Sequence, residues 1–297
     1  MGPIISPREL AAAIGVSESS LKRWADGGHI RVTRTAGGHR RIAIGEAIRF
    51  VRAVGAPLVR PELLGLRDLS PTGGALLMAD APGDRLFGFL SEGRAKDARG
   101  LILSLYLEGQ SVAEIADGPI RNAMERLGEL WRHQESGIFL EHRATDICVQ
   151  AIEQLRQFVE PEEPRAIAVG GAPPGDPYFL PSLLVATALQ AEGWRAVNLG
   201  PNTPFDALVA ACKHHQPALA WLSVSSVQNA GEIEQGIARL AGELAEQRTT
   251  LVLGGQRLPD VSTRERPGVH RCQTISDVLN LTRTLEPRVE ASGDQSS

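Results

Sequence analysis

Residues 4–54 read IISPRELAAAIGVSESSLKRWADGGHIRVTRTAGGHRRIAIGEAIRFVRAV, and the punctuation of this stretch decides the architecture of the amino-terminal region. Ser6-Pro7-Arg8-Glu9 has the form of a capping box with proline at the first helical position, and Leu10, Ala13 and Ile14 then supply the apolar stripe of a short helix. Gly15-Val16 predicts a tight turn. Ser17 predicts the cap of a second helix whose buried side is Leu21 and Trp24, leaving Ser19, Ser20, Lys22 and Arg23 outward. Residues 30–34 and 39–42 read as two strands joined by Thr35-Ala36-Gly37-Gly38, glycines that permit the backbone angles of a hairpin. A third helical segment follows near residues 46–54. The pattern is a winged helix-turn-helix.

Charge distribution gives that shape a partner. Residues 1–60 hold 10 Lys/Arg against 4 Asp/Glu, whereas the chain as a whole is acidic, with a net charge of -4. A helix presenting Ser19 and Ser20 fits a major groove, with Lys22 and Arg23 neutralising phosphates. Arg34, His39, Arg40 and Arg41 surround a small glycine tip suited to phosphate contact and to a narrow, electronegative minor groove. The run TAGGHRRI resembles the wing of the MerR family, and this resemblance covers roughly residues 4–54. It implies double-stranded operator DNA as the partner of a domain spanning residues 1–55.

Gly and Pro punctuate residues 56–74, which read as a flexible linker. From 75 to 160 the apolar periodicity is helical, in four segments: residues 86–90, 101–107, 115–131 and 138–158. Four antiparallel helices of this length predict a bundle. Within it Trp131 is followed by Glu141-His142, a W-x9-EH spacing. By spacing alone this is equally a pair of amphipathic core positions.

Residues 161–285 alternate β and α. Strands are expected at 165–169, 196–199, 219–224, 251–253 and 269–272, which makes a doubly wound, Rossmann-like, five-stranded parallel sheet. The loops at the carboxyl ends of such strands are where ligands bind, and here they are glycine-rich. A polar tail, 286–297, reads as disordered.

The order of winged domain, W-x9-EH bundle and parallel sheet resembles the CarH/LitR group of cobalamin-dependent, light-responsive MerR regulators. The resemblance implies that Trp131 and Glu141, with His142 beside them, cap the upper face of adenosylcobalamin or a related corrinoid. It also implies that Ser223, Ser225, Gly254 and Gly255 receive the cofactor's nucleotide tail, and that adenosylcobalamin promotes a tetramer which light dissociates. Two positions depart from the group. Its lower-face motif is an acid, any residue, His, two residues and Gly; this chain has Asp176-Pro177-Tyr178-Phe179-Leu180-Pro181, so Tyr178 stands where the imidazole coordinates cobalt and Asp176 has no imidazole to orient. A phenol, neutral at pH 7, is a far poorer cobalt ligand. The upper-face histidine that directly follows the Trp is displaced by one, with Arg132 next and His133 after it, about 100° round a helix. Three occupancies stay open: a corrinoid without a protein lower ligand, another tetrapyrrole or flat chromophore, or no ligand.

The competing class is a corrinoid-carrying enzyme subunit, which shares bundle and sheet. The chain carries no GxSxG, HExxH or P-loop pattern, so a regulator and not an enzyme is the expected class: a repressor acting as a homo-oligomer, dimer or tetramer. No apolar run long enough to cross a membrane and no secretory signal is present, so the expected compartment is the cytoplasm. Three scattered cysteines predict buried, reduced thiols.

Overall fold

Ser6 and Ser17 start the first two helices as side-chain caps. In the computed structural model, which describes residues 4–69, 80–131, 137–161, 163–263 and 265–285, Ser6 and Glu9 close a reciprocal capping box at α1 (Pro7–Ile14). Ser17 accepts from the Ser20 N–H at the head of α2 (Glu18–Asp26). Gly15 ends α1 in the left-handed region, φ 70°, turning the chain tightly into α2. Trp131 is described through its backbone alone; residues 70–74 of the expected linker, His133 and the 286–297 tail lie outside the described residues. The chain divides into two compact units, Met1–Val159 and Glu160–Ser297.

In the first unit, β2 (Thr33–Arg34) and β3 (Arg40–Ala43) form an antiparallel hairpin, and β1 (Ile4–Ile5) adds to the other edge of β3 with Ile5 opposite Ile42. The hairpin strands are shorter than expected. Ile30 is 1% exposed and serves the core before pairing begins at Thr33. α3 (Ile44–Val54) buries Ala47, Ile48, Phe50 and Val51, and its Phe50 ring meets Trp24 of α2 at 5.2 Å.

Residues 56–69, read as a flexible linker, are instead folded onto the helices around them. The Val59 and Arg60 N–H groups donate to the Ala13 carbonyl at 2.8 and 3.1 Å, Leu64 and Leu66 are buried, and Asp68 pairs with Arg99 at 2.7 Å. Burial of leucines and of α1's spare carbonyl outweighs the glycine and proline signal.

The bundle comprises α4 (Pro82–Glu92), α5 (Ala95–Leu107), α7 (Arg121–Trp131) and α8 (Gly137–Val159), with a short α6 (Val112–Ile115) leading through a π turn at Ala116–Ile120 into α7. Pro119, which has no N–H to give, sits inside that turn. Leu86, Leu90, Ile102, Leu127, Cys148 and Ile152 meet in the bundle core. Burial pushes the Cys148 thiol up to about 12, which makes it an inert core group.

Arg52 of α3 ties the amino-terminal elements to this bundle. Its guanidinium lies 3.6 Å from the Tyr106 ring centroid and donates to the carbonyls of Tyr106 and, at 3.1 Å, Gln110. Arg52→Ala removes a cation–π contact and several charge-assisted hydrogen bonds, together worth ~2 kcal/mol. The expected outcome is a melting point lower by about 4–8 °C; a calorimetric melt within a degree of wild type would show the contact to be incidental.

The second unit is a parallel sheet in the order β5-β4-β6-β7-β8: β4 (Ala166–Gly171), β5 (Trp194–Asn198), β6 (Leu219–Ser223), β7 (Thr250–Gly254) and β8 (Val269–Arg271). α9 (Leu180–Ala191) and α12 (Ile275–Thr282) pack together on one face, while α10 (Phe205–His215) and α11 (Ala230–Glu246) pack together on the other. Strand order reverses between β4 and β6, so the loops after those two strands flank the topological switch point.

Candidate functional site

The first candidate surface is the α2 and hairpin face. Lys22, Arg23, Arg34 and His39 are exposed, and Ser19 is exposed while Ser20 is half-buried. The two serine hydroxyls turn back to Ser17 Oγ, at 2.8 and 3.0 Å, so they reinforce the cap as well as lining the surface. At the hairpin tip the Thr35 N–H donates to the His39 carbonyl, and Gly38 takes φ 77°. Arg40 departs from its fellows. Its Nη2 lies 2.6 Å from Asp26 Oδ1 at the end of α2, so this arginine couples hairpin to helix, and its side chain is 24% exposed. Arg41, half-buried, donates to the Arg40 carbonyl at 3.4 Å.

Sequence reasoning missed Glu46, which sets the hairpin's base. Its carboxylate, 4% exposed, accepts from the Arg31 N–H at 2.7 Å and pairs with Arg31 Nε at 3.3 Å and Arg49 Nη2 at 2.5 Å. Burial pushes the Glu46 carboxyl up, but the hydrogen bonds from Arg49 and from the Arg31 backbone outweigh it and hold the group below its ordinary 4.5. A depressed folded pKa means that stabilisation is complete above about pH 4.5 and lost as pH falls through the folded value. Glu46→Gln is therefore expected to cost ~1–2 kcal/mol at pH 7 and less at pH 3. Paired thermal melts check this: an equal deficit at both pH values would remove the ionic contribution.

The residues expected to form an upper cofactor face lie at the start of α8, where Glu141 is half-buried and His142 exposed; the Trp131 side chain lies outside the description. Ile138 and Phe139 beside them are 50% and 60% exposed. Arg143 spans 4.9 Å to the Phe139 ring centroid and donates to the Ser91 carbonyl at 2.7 Å, capping the end of α4.

In the second unit the expected lower-face residues cluster at the switch point. Asp176 is fully buried. Its Oδ2 accepts from the Ser225 and Ser226 N–H groups at 2.5 and 3.0 Å, its Oδ1 accepts from the Tyr178 N–H at 3.1 Å, and its carbonyl accepts from Asn202. The carboxylate that would orient a metal-binding imidazole instead ties its own loop to the loop after β6, and the Asp176 main-chain carbonyl adds the loop after β5. Tyr178 is 37% exposed and Ser223 is 4% exposed.

The glycines there do not form a vacant cradle. A Cβ at Gly171 would stand 2.9 Å from the Gly200 carbonyl and the Thr203 hydroxyl, one at Gly254 3.3 Å from the Cys272 carbonyl, and one at Gly255 would collide with the Val224 backbone. These glycines serve close loop packing, and Gly255 also needs its φ of 108°. With the phenol at Tyr178 and the engaged Asp176, the second unit does not fit a cobalamin held from below by imidazole with its tail among these loops. Among the described residues, no group of three or more His, Cys, Asp or Glu is arranged to hold a metal ion.

The chain carries a helical bundle followed by a 2-1-3-4-5 parallel sheet. A solved structure of the monomethylamine corrinoid protein of Methanosarcina barkeri shares this fold, with a TM-score of 0.55 at 16% identity, over 68% of this chain and 96% of that one. Residues 84–156 match the family model described as B12 binding domain. The chain is also 27% identical over 228 residues, 73% of its length and 75% of the other's, to the HTH-type transcriptional repressor CarA of Myxococcus xanthus. Both sequence matches agree with the resemblance read from the sequence, one to a B12 binding domain and one to a transcriptional repressor. Among the described residues no helix is long and apolar enough to cross a membrane.

Proposed function

We propose that the chain is a DNA-binding transcription regulator, a repressor and not an enzyme, working in the cytoplasm as a homo-oligomer. The observation that carries the reading is the exposed basic face of Lys22, Arg23, Arg34 and His39 on two elements, α2 and the hairpin, joined by the Arg40–Asp26 pair. A rigid pairing of helix and hairpin matches adjacent grooves of one duplex, the helix in the major groove and the hairpin tip in the minor. Similarity to a named transcriptional repressor supports the same reading.

The bundle and sheet then form the effector module. Its likeness to B12-binding proteins supports a corrinoid as the ligand class, held through the α8 residues Glu141 and His142 with Trp131. A bound corrinoid supplies a photolabile or ligand-exchangeable cobalt; the protein supplies the apolar cap and the oligomer contacts. A ligand that favours one assembly of effector modules changes how many DNA-binding faces act together, and so changes operator affinity through effective concentration. Control by adenosylcobalamin and light is the finer form of this proposal. It requires cobalt to be held without imidazole from the Tyr178 position.

The test is fluorescence anisotropy of the full chain on labelled duplex DNA across a salt series. Binding that weakens steeply with log salt supports the assignment. Absence of binding to operator-containing and mixed-sequence duplex alike at 50 mM salt would remove it.

A further inference from the structure

Side chains alternate along each strand, so the α9 face of the sheet can be read from the registers. Gly170 stands opposite Trp221 and Asn198, and Ser223 opposite Gly254. The neighbours Ile167, Val169, Ala220, Leu222 and Val224 lie in the other core, with α10 and α11. Ser223 and Gly254, two positions at which a nucleotide tail is expected, therefore share their face with Trp221. A tail reaching them from the loops has to run between that face and α9.

Trp221 already fills this space. It is 1% exposed, and a Cβ at Gly170 would collide with its indole ring, so the absence of a side chain at Gly170 makes room for tryptophan. The ring is fastened as well as packed: Trp221 Nε1–H donates to Ser182 Oγ on α9 at 3.1 Å, and Ser182 Oγ–H donates to Asn198 Oδ1 on β5 at 2.7 Å. Asn198 Oδ1 also accepts from the Gly200 N–H at 3.0 Å. Two strands, one helix and the loop after β5 hold the indole in one orientation, and Trp221 Nε1, Ser182 Oγ and Asn198 Oδ1 are all satisfied. Ejecting the ring would orphan a chain of buried polar groups besides exposing a large apolar surface.

We propose that Trp221 is a specificity residue which closes the slot between the sheet and α9, so that this chain accepts no nucleotide tail there and any corrinoid it binds is recognised by its ring alone. The inference builds on the corrinoid part of the function proposed above, and it separates this chain from a binder of intact cobalamin by tail insertion.

Equilibrium dialysis of the full chain against cyanocobalamin, which has the tail, and dicyanocobinamide, which lacks it, tests the inference. The expected wild-type result is no preference for the tailed compound, with the two dissociation constants within about threefold. Trp221→Ala and Trp221→Gly are expected to shift preference towards cyanocobalamin by about tenfold or more, through the opened apolar space. A wild-type preference of tenfold or more for cyanocobalamin overturns the proposal, as does a variant that keeps its native far- and near-UV spectra yet gains no preference. If wild type retains neither compound, the closed slot stands and the corrinoid reading falls. Should both variants fail to fold, the wild-type comparison still decides.

Discussion

Alanine at Lys22, Arg23, Arg34 and Arg41 together is expected to lower affinity for duplex DNA by about a hundredfold to a thousandfold at 0.1 M salt, and to reduce the slope of log K against log salt by about three to four. The reasoning is electrostatic. Each cation placed on a phosphate releases close to one condensed counterion, and Lys22, Arg23 and Arg34 are exposed on α2 and the hairpin, the two elements that the Arg40–Asp26 pair joins. Arg40 behaves differently in this scheme, because Asp26 already compensates its charge at 2.6 Å. Arg40→Ala is expected to leave the salt slope nearly unchanged while weakening binding through a loosened hairpin. Asp26→Ala reproduces the loosening while freeing a cation. A quadruple variant with wild-type affinity and slope, its fold checked by circular dichroism, would take this face off the DNA.

The first two helices were legible because each has an apolar stripe behind a capping serine, Ser6 and Ser17, whereas α9 is buried on nearly every side and shows no single stripe. The parallel sheet was legible from its apolar runs and the glycines that end them. β1 escaped because two residues, Ile4 and Ile5, show no alternation; only their pairing with β3 makes them a strand. Glu46 escaped for a different reason. On a helix a lone glutamate reads as solvated, and nothing local reveals that Arg31 and Arg49 converge on it. Residues 56–69 were misjudged because proline and glycine mark turns without saying whether the turn is packed. Trp221 read simply as one apolar position in a strand, since its importance depends on Gly170 and Ser182, which lie 51 and 39 positions away. Asp176 was singled out by resemblance to a ligand motif, but its role in the fold depended on the loops that meet it.

That role carries the largest expected change in stability. Asp176→Ala leaves the N–H groups of Tyr178, Ser225 and Ser226 without their acceptor in a fully buried position. At about 1–3 kcal/mol for each orphaned donor, partly relieved by water entry, the expected loss is ~3–5 kcal/mol. Asp176→Asn keeps one acceptor and turns an amide N–H₂ towards donors, so it should recover only part of the loss. Burial pushes the Asp176 carboxyl above its ordinary 3.8, and the three N–H donors pull it only partway back. The folded state therefore takes up this proton at a higher pH than the unfolded chain does. In the window from the folded pKa down to 3.8, this group's contribution to stability rises as pH falls, opposite in sign to that of Glu46. Urea melts followed by tryptophan fluorescence, which reports Trp194 and Trp221 in the sheet, should show the Asp176→Ala deficit. A variant within 1 kcal/mol of wild type would show that the loops hold without the carboxylate. If the deficit is found, the switch-point loops are held closed by the protein's own acid.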